Sequence, residues 1–401
     1  MSGIIIVGAG QAAGQAAASL RQEGFEGPVT IFGEEAQAPY QRPPLSKAYL
    51  AGEVGIERVL VRPEKFYADK SIDLYTGTRI DSIDRSSKTV TTVNSEVFQY
   101  EKLLLATGSR PRLLNIEGSQ LSGIHYLRTI DDVDSIKASM ETAKQVCIVG
   151  GGYIGLEVAA VANKLGLQVT VLEMEERILQ RVTTPEMSDF YHKLHSSKGV
   201  EIRTDTMVSG FEGDTVVKAV KCGAETIPAD VVIVGIGILP NVELAEAADL
   251  DCDNGIMVDE CCRTSDEHIF AAGDCTNHPN PILSRRLRLE SVPNAMEQAR
   301  VACSNMLGGN KTYAAIPWFW SDQYDLKLQM VGFSSDGDNA IVRGDQQKNE
   351  FAVFYMQEGK VVAVDAVNSP REFMVCKQLY GKQVNPKDLA NPEFELKSLL
   401  N

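Results

Sequence analysis

The sequence predicts an α/β chain of 401 residues, with two domains of one design followed by a C-terminal α+β domain. Three observations predict it. Val146 to Glu173 reads as an apolar strand, the turn Gly150-Gly151-Gly152-Tyr153-Ile154-Gly155, a helix through Leu165, and a second strand ending on an acid. The same order occurs near the start, where Ile4 to Val7 leads into Gly8-Ala9-Gly10-Gln11-Ala12-Ala13, an alanine-rich helix to Leu20 and a strand from Val29 to Phe32. After Pro317 the pattern changes to short alternating strands and a late helix.

A strand feeding Gly-x-Gly-x-x-Gly, then a helix, then a strand ending in an acid is the dinucleotide fingerprint in its required context. Gly150 allows the sharp turn, Gly152 lets the backbone approach a pyrophosphate, and Gly155 lets helix and strand pack closely, while the helix N-terminus opening at Tyr153 and Ile154 attracts phosphate charge. Glu173 is placed to accept ribose hydroxyls. In the first copy Gly8 and Gly10 take the same places, Ala12 precedes Ala13, and Ala13 stands in for the third glycine. Glu34 is the ribose candidate there, with Glu35 a close rival. Two fingerprints imply two bound nucleotides and two Rossmann-like domains.

The repeat goes further than the glycines. Ser71 to Thr78 parallels Gly199 to Thr206, and each run leads into short alternating strands, Thr89 to Val93 and Val216 to Val220. Leu103-Leu104-Leu105-Ala106-Thr107-Gly108 then matches Val232-Ile233-Val234-Gly235-Ile236-Gly237, a buried strand followed by a small-residue turn where backbone can lie against a nucleotide. Ala106 and Gly237 are the candidates in these turns. In the last segment, strands are expected at Lys327 to Phe333, Asn339 to Arg343, Glu350 to Tyr355 and Lys360 to Val367, with a helix near Glu372 to Tyr380.

The formal charge of -15 argues against general binding to nucleic acid or anionic membranes. No apolar run reaches the length of a membrane span, the chain enters a strand almost at once, and the eight cysteines form neither a Cys-x-x-Cys nor a zinc spacing. The expectation is a cytosolic chain with reduced thiols and no metal site.

Pro39-Tyr40-Gln41-Arg42-Pro43-Pro44-Leu45-Ser46-Lys47 lies between the first fingerprint and its strands, with two prolines fixing the backbone before a short helix started by Ser46 or a neighbour. Together with Ala106-Thr107-Gly108, the Gly150 fingerprint and the run Thr264 to Asp274 ending Ala271-Ala272-Gly273-Asp274, this stretch resembles the FAD-dependent ferredoxin reductases of oxygenase systems, in the pyridine nucleotide-disulfide oxidoreductase superfamily. The resemblance covers nearly the whole chain. It implies a glutathione reductase-like fold, with 1–109 and 241–316 binding FAD, 110–240 binding NADH and 317–401 forming the C-terminal domain.

For FAD the resemblance implies contacts from Arg42, Lys47, Ile80, Arg128, Asp274 and Val292, the last opening a helix at the flavin edge. It also implies that Lys47 and Glu157 pair near flavin N5 and that Trp320 lies beside the flavin. The disulfide reductases of the superfamily carry cysteine on the helix after the first fingerprint; this chain has none before Cys147, which leaves the flavin as the last redox group. Glu173, Glu175 and Glu176 disfavour a 2'-phosphate, so NADH is expected over NADPH, although Arg177 could turn toward such a phosphate. The implied partner is an acidic 2Fe-2S ferredoxin feeding a haem monooxygenase or ring-hydroxylating dioxygenase, with Arg285, Arg286, Arg288 and Arg300 as candidate docking residues. Alternatives are a rubredoxin reductase, a redox-sensing flavoprotein of the apoptosis-inducing-factor type, and a direct reductase of a small oxidant such as a quinone.

Overall fold

A computed structural model describes residues 3–400. The chain divides into two compact units. One comprises the chain up to Arg42 with Gly55–Arg110 and Ile238–Pro317; the other comprises Pro43–Val54, Pro111–Gly237 and the chain from Trp318 on. The Lys47 stretch, expected within 1–109, clusters with the second unit.

In the first unit, the apolar strand Gly3–Val7 lies between Val29–Phe32 and Val97–Leu105, parallel to both, with Ile72–Tyr75 beyond Val29–Phe32. Thr89–Thr92 and Ile80–Asp84 continue the sheet antiparallel, and Ile269–Ala271 adds parallel to Val97–Leu105. Every residue of Gly3–Val7 is buried, as expected of a central parallel strand covered on both faces. The helix Gln11–Gln22 packs on the helix Val292–Met306 through alanines: Ala12, Ala13, Ala16 and Ala17 share one buried cluster with Ala295, Ala299 and Ala302. Small side chains let the two helices pack closely.

The second unit repeats the parallel design in the order Glu201–Arg203, Gln168–Leu172, Gln145–Val149, Val231–Val234, Ile124–Tyr126. A three-stranded antiparallel sheet, Gly210–Gly213, Val217–Cys222 and Glu225–Pro228, shares its hydrophobic cluster. The C-terminal part is an antiparallel sheet in the order Trp318–Gln323, Leu326–Gly332, Lys360–Val367, Glu350–Gln357, Asn339–Asp345. Its four expected strands fall within one or two residues of their predicted ends. The expected late helix is Pro370–Leu379, beginning two residues early because proline suits a first turn, where its missing N–H has no helical partner to lose.

One local expectation needs correction. Ser46 does not start a helix but ends the 3-10 turn Pro43–Ser46, which the two prolines initiate. None of the helices among the described residues is long and apolar enough to cross a membrane.

Candidate functional site: two dinucleotide cradles and a buried lysine–glutamate pair

Each cradle is built by its first glycine. Gly8 has φ +111°, and a Cβ on it would lie 2.1 Å from the carbonyl oxygen of Ala106; Gly150 has φ +109°, with Gly235 O at 2.4 Å. Ala106 and Gly235 are matching positions of the sequence repeat, so in both units the turn after one strand closes on the turn after another. A Cβ at Gly155 would lie 2.2 Å from Gly150 O, which makes this glycine the packing one, while Ala13 is fully buried in the first copy. The middle glycines differ in kind. Around Gly10 and Gly152 a Cβ would meet nothing within 4 Å, and their φ values of -102° and -79° suit any residue. Protein packing does not demand glycine there; a group approaching the N-termini of two 12-residue helices does. The residues therefore fit the phosphates of two dinucleotides.

The strand-end acids differ in their surroundings. Glu173 is buried, with Oε2 accepting from Gly151 N at 2.7 Å and Oε1 from Glu175 N at 3.0 Å. It braces the glycine turn. The residue matching Glu173 in the first unit is Gly33. Glu34 points to solvent with Arg79 3.6 Å away, whereas Glu35 is half-buried, receives Tyr40 OH, and pairs with Arg42 at 2.6 Å. Arg42 thus reaches the acid rival rather than standing alone.

In the same unit Asp274 accepts from the buried Ser109 hydroxyl at 2.8 Å. The turn that delivers Asp274 is held by Gln298, whose Oε1 receives Gly273 N at 2.8 Å and Thr276 Oγ1 at 2.9 Å. Val292 is the first residue of its helix, capped by Ser291, and Ile80 is buried at the start of its strand. Sequence reasoning missed Ser109 and Gln298, whose significance lies in contacts 165 and 25 positions away.

In the second unit, Lys47 Nζ lies 2.7 Å from Glu157 Oε2, with side-chain exposures of 18% and 3%. Ser46 Oγ donates to the same oxygen at 2.5 Å, and Ser321 Oγ to Oε1 at 2.6 Å. A buried carboxylate is costly unless its lone pairs are met, and here three donors meet them. Tyr153 packs on Phe319 and donates to Met330 Sδ at 2.8 Å. Trp320 is half-buried with its ring 5.7 Å from that of Trp318, Ile154 is exposed, and Gly237 has φ +106°. Arg128 N bonds Asp132, within the capping box that Thr129 and Asp132 form for the helix Ile130–Met140.

Arg177 is occupied: it donates to Thr183 O at 2.9 Å, to Gln180 O at 3.1 Å and to Ser188 Oγ at 2.5 Å. Three of the candidate docking arginines have partners. Arg286 bonds Asn277 and Val258 O, Arg288 pairs with Glu290 at 2.6 Å, and Arg285 also has a partner; Arg285, Arg286 and Arg300 are exposed. All eight cysteines are free, and burial raises the pKa of every one. The described residues contain no cluster of three or more metal-ligating side chains.

A chain that builds the dinucleotide cradle twice on parallel sheets is of the class of two-nucleotide oxidoreductases. Comparison with known proteins makes this specific: residues 2–299 match the family model "Pyridine nucleotide-disulphide oxidoreductase" and 318–400 match "Reductase C-terminal". The chain belongs to the pyridine nucleotide-disulphide oxidoreductase family, whose cofactors are FAD and NAD(H). It is 43% identical to putidaredoxin reductase of Pseudomonas putida, over 99% of this chain and 96% of that protein. Among solved structures it resembles the ferredoxin reductase for the CYP199A2 system of Rhodopseudomonas palustris, with TM-score 0.97, 38% identity and full coverage of both chains. It also resembles the covalent putidaredoxin reductase–putidaredoxin complex, with TM-score 0.95, 43% identity and coverage of 100% and 98%.

Proposed function

We propose that this protein is an NADH-dependent ferredoxin reductase, taking hydride from NADH and passing single electrons to a 2Fe-2S ferredoxin that feeds a haem monooxygenase or ring-hydroxylating dioxygenase. One observation carries the reading: two dinucleotide cradles occur in a chain whose eight cysteines are all free, with none before Cys147, so no cysteine stands on the helix after the first cradle to relay electrons. Bound FAD supplies the step between a two-electron donor and a one-electron acceptor. The relatives support the acceptor class, since they include putidaredoxin reductase and one is a structure with its ferredoxin partner.

The first unit is the FAD domain in this reading. Gly8, Gly10, Ala12 and Ala13 take the pyrophosphate, Ala106 backs the turn, Asp274 receives cofactor hydroxyls, and Ile80 and Val292 contribute apolar contact. Glu35 joins Glu34 as the candidate for the adenosine ribose, because its carboxylate is already fixed by Tyr40 and Arg42. In the second unit Gly150, Gly152, Tyr153, Ile154, Gly155 and Gly237 line the NADH cradle, with Glu173 at the ribose. Lys47 and Glu157 serve hydride transfer: the carboxylate holds the ammonium in place and keeps its charge compensated until the cofactor needs it. Trp320 borders the redox face, and Arg128 stays a cofactor contact.

NADH is preferred because Glu173, Glu175 and Glu176 repel a 2'-phosphate and Arg177 is spent on its own loop. Arg300, on the outer face of the helix Val292–Met306, is the leading candidate for steering an acidic partner, with Arg285 beside it in the assignment. The free thiols support a cytosolic setting. The test is steady-state turnover with NADH and a purified 2Fe-2S ferredoxin, read through cytochrome c reduction, beside rubredoxin and a quinone as acceptors. Fast turnover with ferredoxin alone supports the reading; equal or faster quinone reduction without ferredoxin contradicts it.

A further inference from the structure

Behind Glu157 a line of polar side chains runs through the dry interior of the second unit. It begins on the strand Trp318–Gln323, where alternation sends Ser321 and Gln323 to one face, and both are essentially fully buried. Ser321 Oγ donates to Glu157 Oε1 at 2.6 Å, and Gln323 Nε2 donates to Ser321 Oγ at 3.2 Å. Gln323 Oε1 lies 2.8 Å from His195 Nε2, and His195 Nδ1 lies 3.4 Å from Tyr324 OH. His195, in the last turn of the helix Pro185–Ser197, is fully buried.

The direction of this line follows from its end. A carboxylate only accepts, so the Ser321 proton is spent on Glu157 and the Ser321 oxygen is left to accept from Gln323. The Gln323 oxygen therefore faces His195, whose Nε2 must carry the proton, and Nδ1 is left bare for the Tyr324 hydroxyl. Every donor points toward Glu157, and bonds aligned this way polarise one another. The imidazole stays neutral because each nitrogen has an assigned role, and its burial acts in the same sense by lowering its pKa.

We propose that Ser321, Gln323 and His195 are positioning residues: a one-directional hydrogen-bond chain that fixes the Glu157 carboxylate, and through it Lys47, in the geometry hydride transfer uses. This rests on the reading of Lys47 and Glu157 as the hydride-transfer pair. Ser321 holds Oε1 while Lys47 and Ser46 hold Oε2, so losing Ser321 frees the carboxylate to rotate and takes the ammonium with it. The C-terminal part of the chain would thus act on the redox site through a buried serine as well as through Trp320.

The test needs two readouts. Long-range ¹⁵N–¹H correlation on protein labelled in its five histidines is expected to find His195 as the neutral Nε2–H tautomer, with or without FAD. Glu157→Gln ends the chain on a group that can also donate, so the Nδ1–H tautomer should appear. In anaerobic single turnover at saturating NADH, Ser321→Ala should slow flavin reduction about tenfold with FAD content and NADH Kd unchanged, and Ser321→Thr should restore the rate. A protonated or Nδ1–H His195 in the wild type overturns the chain without any variant. Wild-type reduction by Ser321→Ala beside a slow Glu157→Gln overturns the positioning role alone. Wild-type rates in both overturn the underlying reading of the pair.

Discussion

Lys47 Nζ and Glu157 Oε2 lie 2.7 Å apart, although 110 positions separate them in the chain. The ammonium keeps partial access to solvent while the carboxylate is buried, so the acid acts as the anchor that holds the lysine's charge in place. Lys47→Ala is expected to retain FAD at wild-type stoichiometry and to slow flavin reduction by about 10²-fold, a typical cost of one oriented catalytic group. Stopped-flow absorbance under anaerobic conditions checks it, and an unchanged rate would remove Lys47 from the chemistry.

The middle glycines separate fold from ligand. Gly152→Ala places a methyl where nothing lies within 4 Å, so the apo-protein should lose under about 1 kcal/mol, while NADH binding weakens tenfold or more. Gly8→Ala drives a methyl toward Ala106 O at φ +111° and should lower thermal stability markedly. Denaturation and NADH titration of the two variants should give opposite profiles.

Asp365 tests a buried charge. It accepts from Thr183 Oγ1 at 2.7 Å and from Tyr355 OH at 2.8 Å, and burial pushes its pKa up to about 6, with Tyr153 and Tyr191 also close enough to interact with it. A carboxyl with a raised folded-state pKa favours folding while protonated, and that contribution is lost as pH rises from its ordinary value near 4 through about 6. Asp365→Asn should therefore match the wild type near pH 4 and exceed it by on the order of 2–3 kcal/mol at pH 8. Parallel denaturant titrations across that range check the sign; a constant difference would contradict it.

Arg343 is the stability keystone of the C-terminal part. Buried to 7% exposure, it donates to the carbonyls of Leu389, Asn391, Pro392 and Phe394 and ties the last segment to the strand Asn339–Asp345. Arg343→Met should cost about 3–5 kcal/mol, because four carbonyls lose a charged donor together. Chemical denaturation measures it directly, and a loss below 1 kcal/mol would show that water replaces the guanidinium.

Charge reversal at Arg300 should slow ferredoxin reduction severalfold at low salt and much less at high salt, leaving reduction of small dyes intact. The same change at Arg286 should instead lower stability, since that guanidinium serves Asn277 and the Val258 carbonyl. Equal loss with ferredoxin and dyes for Arg300→Glu would contradict a docking role.

What the sequence disclosed was what its local windows encode. A glycine turn between an apolar strand and a helix is specified within about ten residues, so both cradles and their strands could be read, as could the alternation of the C-terminal strands. The repeat even paired Ala106 with Gly235, the two turns on which Gly8 and Gly150 close. Contacts across long separations were not legible. Nothing near Pro43 says that its turn clusters with the second unit, and nothing near Arg286 says that carbonyls consume its charge. Position along a strand end does not reveal which of Glu34 and Glu35 Tyr40 and Arg42 will enclose. Ser321 was hidden for the same reason: its neighbour Trp320 draws the eye, while its partner Glu157 lies 164 residues earlier.

The most direct test of a flavin-only electron carrier is an anaerobic NADH titration of the FAD-loaded protein, followed by visible absorbance and ended with excess 2Fe-2S ferredoxin. The account predicts complete bleaching at about one NADH per FAD and full return of the flavin absorbance on adding ferredoxin. Uptake of about two NADH per FAD would reveal a second redox centre, and the carrier without a thiol relay would be wrong.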